Sequence, residues 1–225
     1  MVITATDTSV LRLLQLSSVS LPVGGYAFSQ GMEFAIDKGW VKKKTDVADW
    51  VGLQMETSVA RVDLPILRLC MLAAVEKDST RLIELNDLVL ACRETKELRL
   101  NDTAMGEALL RLMTSLGIET PFDRSEDISF VSLFALAANH WNIEFELAAL
   151  GFAWSWLENQ VVAATKLVPL GQTQAQELLG ELQDSIQQAI ELSTQIDEER
   201  IGAGLPMISI ASAQHETQYS RLFRS

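Results

Sequence analysis

The sequence predicts an all-α protein, a single-domain helical bundle of about nine or ten helices with short connections. Three observations carry that reading. Five prolines in 225 residues leave long stretches free of helix breakers. Alternating Val/Ile/Thr runs of the kind that build strands are few. From Thr173 onward, Ala175, Leu178, Leu179, Leu182, Ile186, Ala189, Ile190 and Ile196 recur at steps of three and four, which gathers them on one side of a helix. Glu177, Glu181, Asp184 and Glu191 are then largely left for solvent.

Element by element, Met1–Ser9 is polar and uncapped and reads as frayed. The same periodicity predicts helices over 9–17, 29–38, 46–61, 64–77, 80–98, 102–116, 126–140 and 143–165, ahead of the Thr173 helix. Pro65 suits a first helical turn, where its missing N–H costs little. Asn101, Ser125 and Asn142 have the side chains of N-caps, Ser29 is placed to cap the helix after the first turn, and Thr173 with Gln176 has capping-box spacing. Breaks fall at Leu21–Gly25, Gly117–Ser125, Lys166–Gln172 and Ile201–Pro206, each marked by Gly or Pro. No repeat of fixed period divides residues 1–225, so one domain is expected.

Charge narrows the partners. Lys and Arg total 18 against 30 Asp and Glu, a net charge of −12, which argues against nucleic acid or an anionic membrane as a partner. The longest uncharged stretch, Leu13–Met32, is interrupted by Pro22, Gly24 and Gly25 and makes a poor spanning helix. No basic leader precedes an apolar segment, so a cytoplasmic protein is expected. Cys70 and Cys92 lie far apart in apolar surroundings and read as structural thiols.

The catalytic inventory is thin. The chain contains neither a G-x-x-x-x-G-K-[ST] phosphate loop nor a strand-to-helix G-x-G-x-x-G turn, so nucleotide hydrolysis by this chain alone is not expected. His215-Glu216 begins like a zinc-protease helix, but Tyr219 stands where the second histidine is required. A tail histidine that hydrogen-bonds a partner is the better reading; His140 reads as a helix C-terminal or interface residue. Glu144, Glu146 and Glu158 share an apolar helix, as an exposed polar edge or with one of them shifted by burial. Trp154 and Trp156 face opposite sides of that helix, a hint of a second packing surface.

Three stretches are unlike ordinary connectors. Leu21-Pro22-Val23-Gly24-Gly25-Tyr26-Ala27-Phe28-Ser29-Gln30-Gly31-Met32-Glu33 has two glycines behind a proline, which permit a tight turn and close backbone approach. Glu158–Gln172 carries a lone Lys166 ahead of Pro169 and Gly171. Lys166 also has the plain reading of a cation at the carbonyl end of its helix. The tail 214–225, QHETQYSRLFRS, interleaves Tyr219, Leu222 and Phe223 with Arg221 and Arg224, while Leu167–Glu199 holds seven acids and no Lys or Arg. Such a tail can fold back on the acidic body, dock on a partner, or stay disordered; aromatic and Arg side chains are common interface anchors.

These segments together resemble the UreF family of urease accessory proteins. The resemblance spans about Leu11 to Ser225 and rests on LPVGGYAFSQGME, Asp63-Leu64-Pro65, Glu97-Leu98-Arg99 with Thr103, Met105 and Gly106, ENQVVAATKLVPLGQ and the terminal QHETQYSRLFRS. Two departures stand out: Tyr26-Ala27-Phe28-Ser29 replaces the family's usual Phe-Ser-Tyr-Ser, and Val19-Ser20 replaces its Ser-Pro.

The resemblance implies an all-helical, non-enzymatic homodimer that takes part in nickel insertion into apo-urease. It implies binding to UreD (also called UreH), recruitment and regulation of the nickel-carrying GTPase UreG, and nickel handled in transit, through an internal passage, with no cofactor bound stably. It also implies that His215, Glu216, Tyr219, Arg221, Phe223 and Arg224 contribute to the UreD surface, becoming ordered on binding. Lys166, Pro169, Gly171 and Gln172 would shape a surface relevant to GTPase control, and Pro22, Gly24, Gly25 and Tyr26 a turn near a partner contact. A nickel-storing metallochaperone and an all-α enzyme are the alternatives; the ligand and catalytic inventories favour neither.

Overall fold

The computed structural model describes residues 7–123 and 125–224. Among them the regular structure is helical throughout. The helices are α1 (Asp7–Leu16), α2 (Met32–Asp37), α3 (Lys44–Gln54), α4 (Leu64–Glu76), α5 (Ser79–Ala91), α6 (Lys96–Ser115), α7 (Phe130–His140), α8 (Phe145–Leu167), α9 (Gln172–Glu181), α10 (Gln183–Thr194) and α11 (Pro206–His215). Of the N-terminal stretch expected to fray, Met1–Thr6 lies outside the described residues, whereas Asp7 already opens α1 and Ser9 is buried.

The centre is α7, buried at every position from Phe130 to Ala138. A helix apolar on all sides has to be wrapped, and α4, α5, α6 and α8 surround it. Phe130, Phe134 and Phe152 meet there with ring centroids 5.3–5.9 Å apart. The long α8 spans the molecule: α1 and α2 lie on it, as do α9 and α10, while α11 covers α2 and α6.

Between α3 and α4 the chain stays helical but widens into a π-helical stretch, Met55–Asp63. Pro65 explains the change. A proline inside a helix has no N–H for the carbonyl four residues back and its ring crowds that carbonyl; here that carbonyl belongs to Arg61, and it accepts instead from the Gly202 N–H at 3.4 Å. Pro65 therefore marks an internal adjustment of a continuous helical run rather than the start of a free-standing helix.

Several boundaries differ from the sequence reading. The stretch 80–98 is broken at Cys92–Thr95, and α6 begins at Lys96 with Thr95 Oγ accepting from the Leu98 N–H at 3.1 Å. Asn101 is thus a buried residue inside α6, not a cap. The cap of α7 is Ser129, not Ser125, and Asn142 precedes α8 with φ +53° while Glu144 takes the cap position. α2 begins at Met32 behind Gly31, although Ser29 Oγ does receive the Glu33 N–H at 3.4 Å. At α9 the side chain that closes the first turn is Gln174, accepting from the Gly171 N–H, in place of the Thr173–Gln176 pair. The long C-terminal helix is interrupted at Leu182, and α11, behind Pro206, was not foreseen.

The break at residues 92–95 is held by a buried ionic junction. Arg93 turns inward, its Nη2 2.7 Å from Asp63 Oδ1 and its Nε 2.8 Å from Asp102 Oδ2. Asp102 also accepts from Ser129 Oγ and the Phe130 N–H, which ties the start of α7 to α6. Burial pushes the Asp63 carboxyl above its usual range, against the pull of Arg93. Burial alone would lower Arg93, but Asp102 and Asp63 outweigh it and hold the guanidinium more firmly protonated. One turn along α6, an added Cβ on Gly106 would lie 1.9 Å from the Ile128 carbonyl oxygen, so only glycine lets these two backbones touch.

Candidate docking surface

The turn before α2 is shaped by its two glycines. Gly24 sits at φ +75°, a left-handed conformation that costs other residues strain. Gly25 is buried, and a Cβ there would stand 2.8 Å from Asn159 Nδ2 and 3.3 Å from Met105 Cε. The turn is therefore pressed onto α8 and α6, where an added Cβ would have to displace the Asn159 amide and the Met105 methyl. Pro22 and Tyr26 remain exposed on its outer side. Trp156 of α8 donates through Nε1 to Gln30 Oε1 at 3.2 Å, fixing the far end of the loop. Both Trp154 and Trp156 are half-buried against the core of this chain.

Lys166 lies in the last turn of α8 and reaches that turn. Its Nζ is 5.8 Å from the Tyr26 ring centroid and 5.5 Å from that of Phe223, within range of cation–π attraction to both. Phe223 belongs to the tail, so the ammonium bridges turn and tail. The Arg224 N–H donates to the Ala27 carbonyl at 2.8 Å, and its guanidinium lies 6.0 Å over Phe28.

Of the three fates open to the tail, the structure takes the fold-back. His215 is fully buried; its Nε2 is 3.0 Å from Glu33 Oε2 and its Nδ1 2.9 Å from Glu97 Oε2. Glu33 also accepts the Leu222 and Phe223 N–H groups at 2.6 and 2.9 Å. Arg221 Nη1 donates to Glu97 Oε1 at 3.0 Å. Burial raises the Glu97 carboxyl above its ordinary value, while His215 and Arg221 draw it back. His215 thus bonds within its own chain, where a partner was expected. Phe223 is buried in its own body, so the anchors left outside are Tyr219, Leu222 and Tyr26, with relative exposures of 106%, 65% and 55%.

The sequence-selected residues therefore fall into two groups. Pro22, Gly24, Gly25, Tyr26, Lys166, His215, Arg221, Phe223 and Arg224 converge on one face, with Glu216 and Tyr219 exposed beside them. Pro169, Gly171 and Gln172 lie in the exposed connector that leaves α8 and enters α9. Glu33 and Glu97 both lie in the motifs noted in the sequence, but sequence reasoning missed the role of each. Glu33 is the one acid in the first turn of α2 and sits beside apolar Met32, Phe34 and Ala35, a usable signal, but its partner lies 182 residues away.

Behind the turn is a cavity of about 100 Å³, lined among others by Gly25, Arg93, Asn101, Asp102 and Gln160. Asn101 Oδ1 and Gln160 Oε1 are buried there without a hydrogen-bond partner in the protein, and the space admits a few water molecules at roughly 30 Å³ each. Among the described residues no group of three or more His, Cys, Asp or Glu side chains is arranged to hold a metal ion. Burial raises the Cys70 thiol to about 12 and moves Cys92 in the same direction, so both stay protonated near neutrality. Burial also raises Glu158 of α8, one of the three acids singled out above, of which Glu144 precedes the helix as its cap residue. His140 is exposed at the end of α7, and no helix among the described residues is long and apolar enough to cross a membrane.

The UreF family model matches residues 41–183. The chain is 74% identical to the urease accessory protein UreF of Marinomonas sp., over 99% of its own length and 97% of that protein. It is 45% identical to the protein of the same name from Teredinibacter turnerae, over 97% of the chain and all of the relative. With that of Alkalilimnicola ehrlichii it shares 43% identity over 95% of each. A family match across most of the chain, joined to near full-length relatives at this identity, settles membership: the chain belongs to the UreF family.

Proposed function

We propose that this chain is a docking adaptor in urease maturation, binding UreD (UreH) through the composite face of turn, Lys166 and tail, and bringing the GTPase UreG to apo-urease. The family is one of accessory proteins, not of enzymes. The observation that carries the reading is the convergence of three distant segments, with Lys166 set against Tyr26 and Phe223 and Arg224 over Phe28, while Tyr26, Tyr219 and Leu222 stay exposed. Large aromatic and aliphatic anchors next to fixed cations are the composition of an interface centre. In this reading the chain acts as a homodimer, nickel is cargo passed within the complex, and nucleotide chemistry belongs to UreG. The connector with Pro169, Gly171 and Gln172 is the surface assigned to control of the GTPase.

Co-purification on immobilised UreD tests the adaptor role, comparing the full chain, a chain ending at Gln214, and full-length Tyr219→Ala. The full chain is expected to be retained and, on addition of UreG, to elute as a larger assembly. The truncated chain should be lost, and Tyr219→Ala, whose side chain is fully exposed, should be captured at least tenfold less. Undiminished capture of both variants would refute the assignment of the tail.

A further inference from the structure

His215 closes the last turn of α11 with a buried carboxyl group on each side of its ring. A neutral imidazole carries one N–H and can donate to only one of them. Glu33 already accepts a backbone N–H from the tail on each oxygen, so it acts as the acceptor and Nε2–H points to it. With Nε2–H given to Glu33, Nδ1 faces Glu97 Oε2 at 2.9 Å and Oε1 at 3.2 Å. Two lone pairs do not approach that closely in a site with no solvent to separate them. A proton has to lie between them, on the ring or on the carboxyl. The elevated Glu97 carboxyl, displaced by burial, is in keeping with this.

The surrounding charges leave little to replace that proton. Glu33, with Asp37 and Lys38 further along, comes from α2; Glu97 comes from α6; Glu216 and Arg221 come from the tail itself. Arg221 answers one carboxylate and the shared proton answers the other, so the junction is neutral while the proton stays. When it leaves, a net negative charge remains in a nearly dry junction. The group with least to hold it there is the tail, which rests on the body through Glu33, Glu97, the Ala27 carbonyl and the Lys166 contact.

We propose that the C-terminal tail is a proton-operated latch: one proton shared by His215 Nδ1 and Glu97 holds residues 215–224 on the body, and its loss frees them. The docked form binds one more proton than the released form. Docking is therefore favoured at low pH and weakens as pH rises, by up to tenfold per pH unit beyond the transition. The proposal concerns this chain alone and stands whatever partner the face receives.

Amide hydrogen exchange of Leu222 and Phe223 in the full chain tests it, followed by NMR from about pH 6 to 9. Rates are corrected for base catalysis and referenced to the core amide of Ala135. In the natural chain, tail protection should fall by up to tenfold per pH unit on the alkaline side while Ala135 stays protected. In Glu97→Gln the amide NH₂ supplies a permanent donor to Nδ1 and its carbonyl still receives Arg221, so the tail should stay protected with the slope abolished. His215→Ala should expose the tail at every pH. A flat profile in the natural chain, a Glu97→Gln slope equal to the natural one, or a Glu97→Gln tail exposed at every pH would each overturn the latch.

Discussion

Arg93 joins parts of the chain that the sequence keeps apart. Its guanidinium lies between Asp63 and Asp102, both nearly dry, at 2.7 and 2.8 Å. Removing one partner of a buried ionic group leaves the other charges unpaired, at a cost of about 3–5 kcal/mol. Arg93→Met should lose that much in chemical denaturation near neutral pH. The loss should shrink on acidification. Burial already raises Asp63, and a carboxyl raised in the folded state contributes stability below the ordinary range of about 4 that disappears as pH climbs through the raised value. An equal loss at every pH would mean that the junction is held by packing and not by charge. Asp63 and the α6 motif were legible as residues worth noticing, and Gly106 was among them. That Arg93 would turn inward to meet them was not, because an Arg between Cys92 and Glu94 gives no local sign of burial.

Periodicity reports which residues share a face of a helix, and it located nearly every helical region. It does not report where one helix stops when no Gly or Pro intervenes. The break at residues 92–95 is of that kind: no Gly or Pro marks it, and the chain turns because Thr95 caps α6 and Arg93 is drawn into the core. Thr95 also meets Ser212 of α11 through a 2.7 Å hydroxyl contact, so it secures both the start of α6 and the helix that carries the tail. Thr95→Ala should cost about 1–2 kcal/mol in thermal or chemical unfolding, the usual loss for an N-cap. No change in stability would place the end of the helix elsewhere. The π-helical stretch was hidden for a related reason. Pro65 is visible in the sequence, but the rescue of the Arg61 carbonyl by Gly202 links positions on either side of seven intervening helices' worth of chain.

For the whole molecule, the legible part was that the turn, the α8 end and the tail are unusual; the illegible part was that they are one place. Their union depends on contacts 118 and 182 residues apart, from His215 to Glu97 and to Glu33, and no local pattern encodes such pairings. The fold-back also changes which tail residues are free to act. His215 and Phe223 hold the tail, while Tyr219 and Leu222 are presented by it. The central claim is that turn and tail form a single docking face. The most direct measurement is the affinity for UreD of Tyr26→Ala, Leu222→Ala and the double variant, two exposed positions on different segments. On one shared face, each single change should weaken binding and the double variant should weaken it further than either alone. Binding untouched by Tyr26→Ala, with the whole effect carried by Leu222→Ala, would contradict the account.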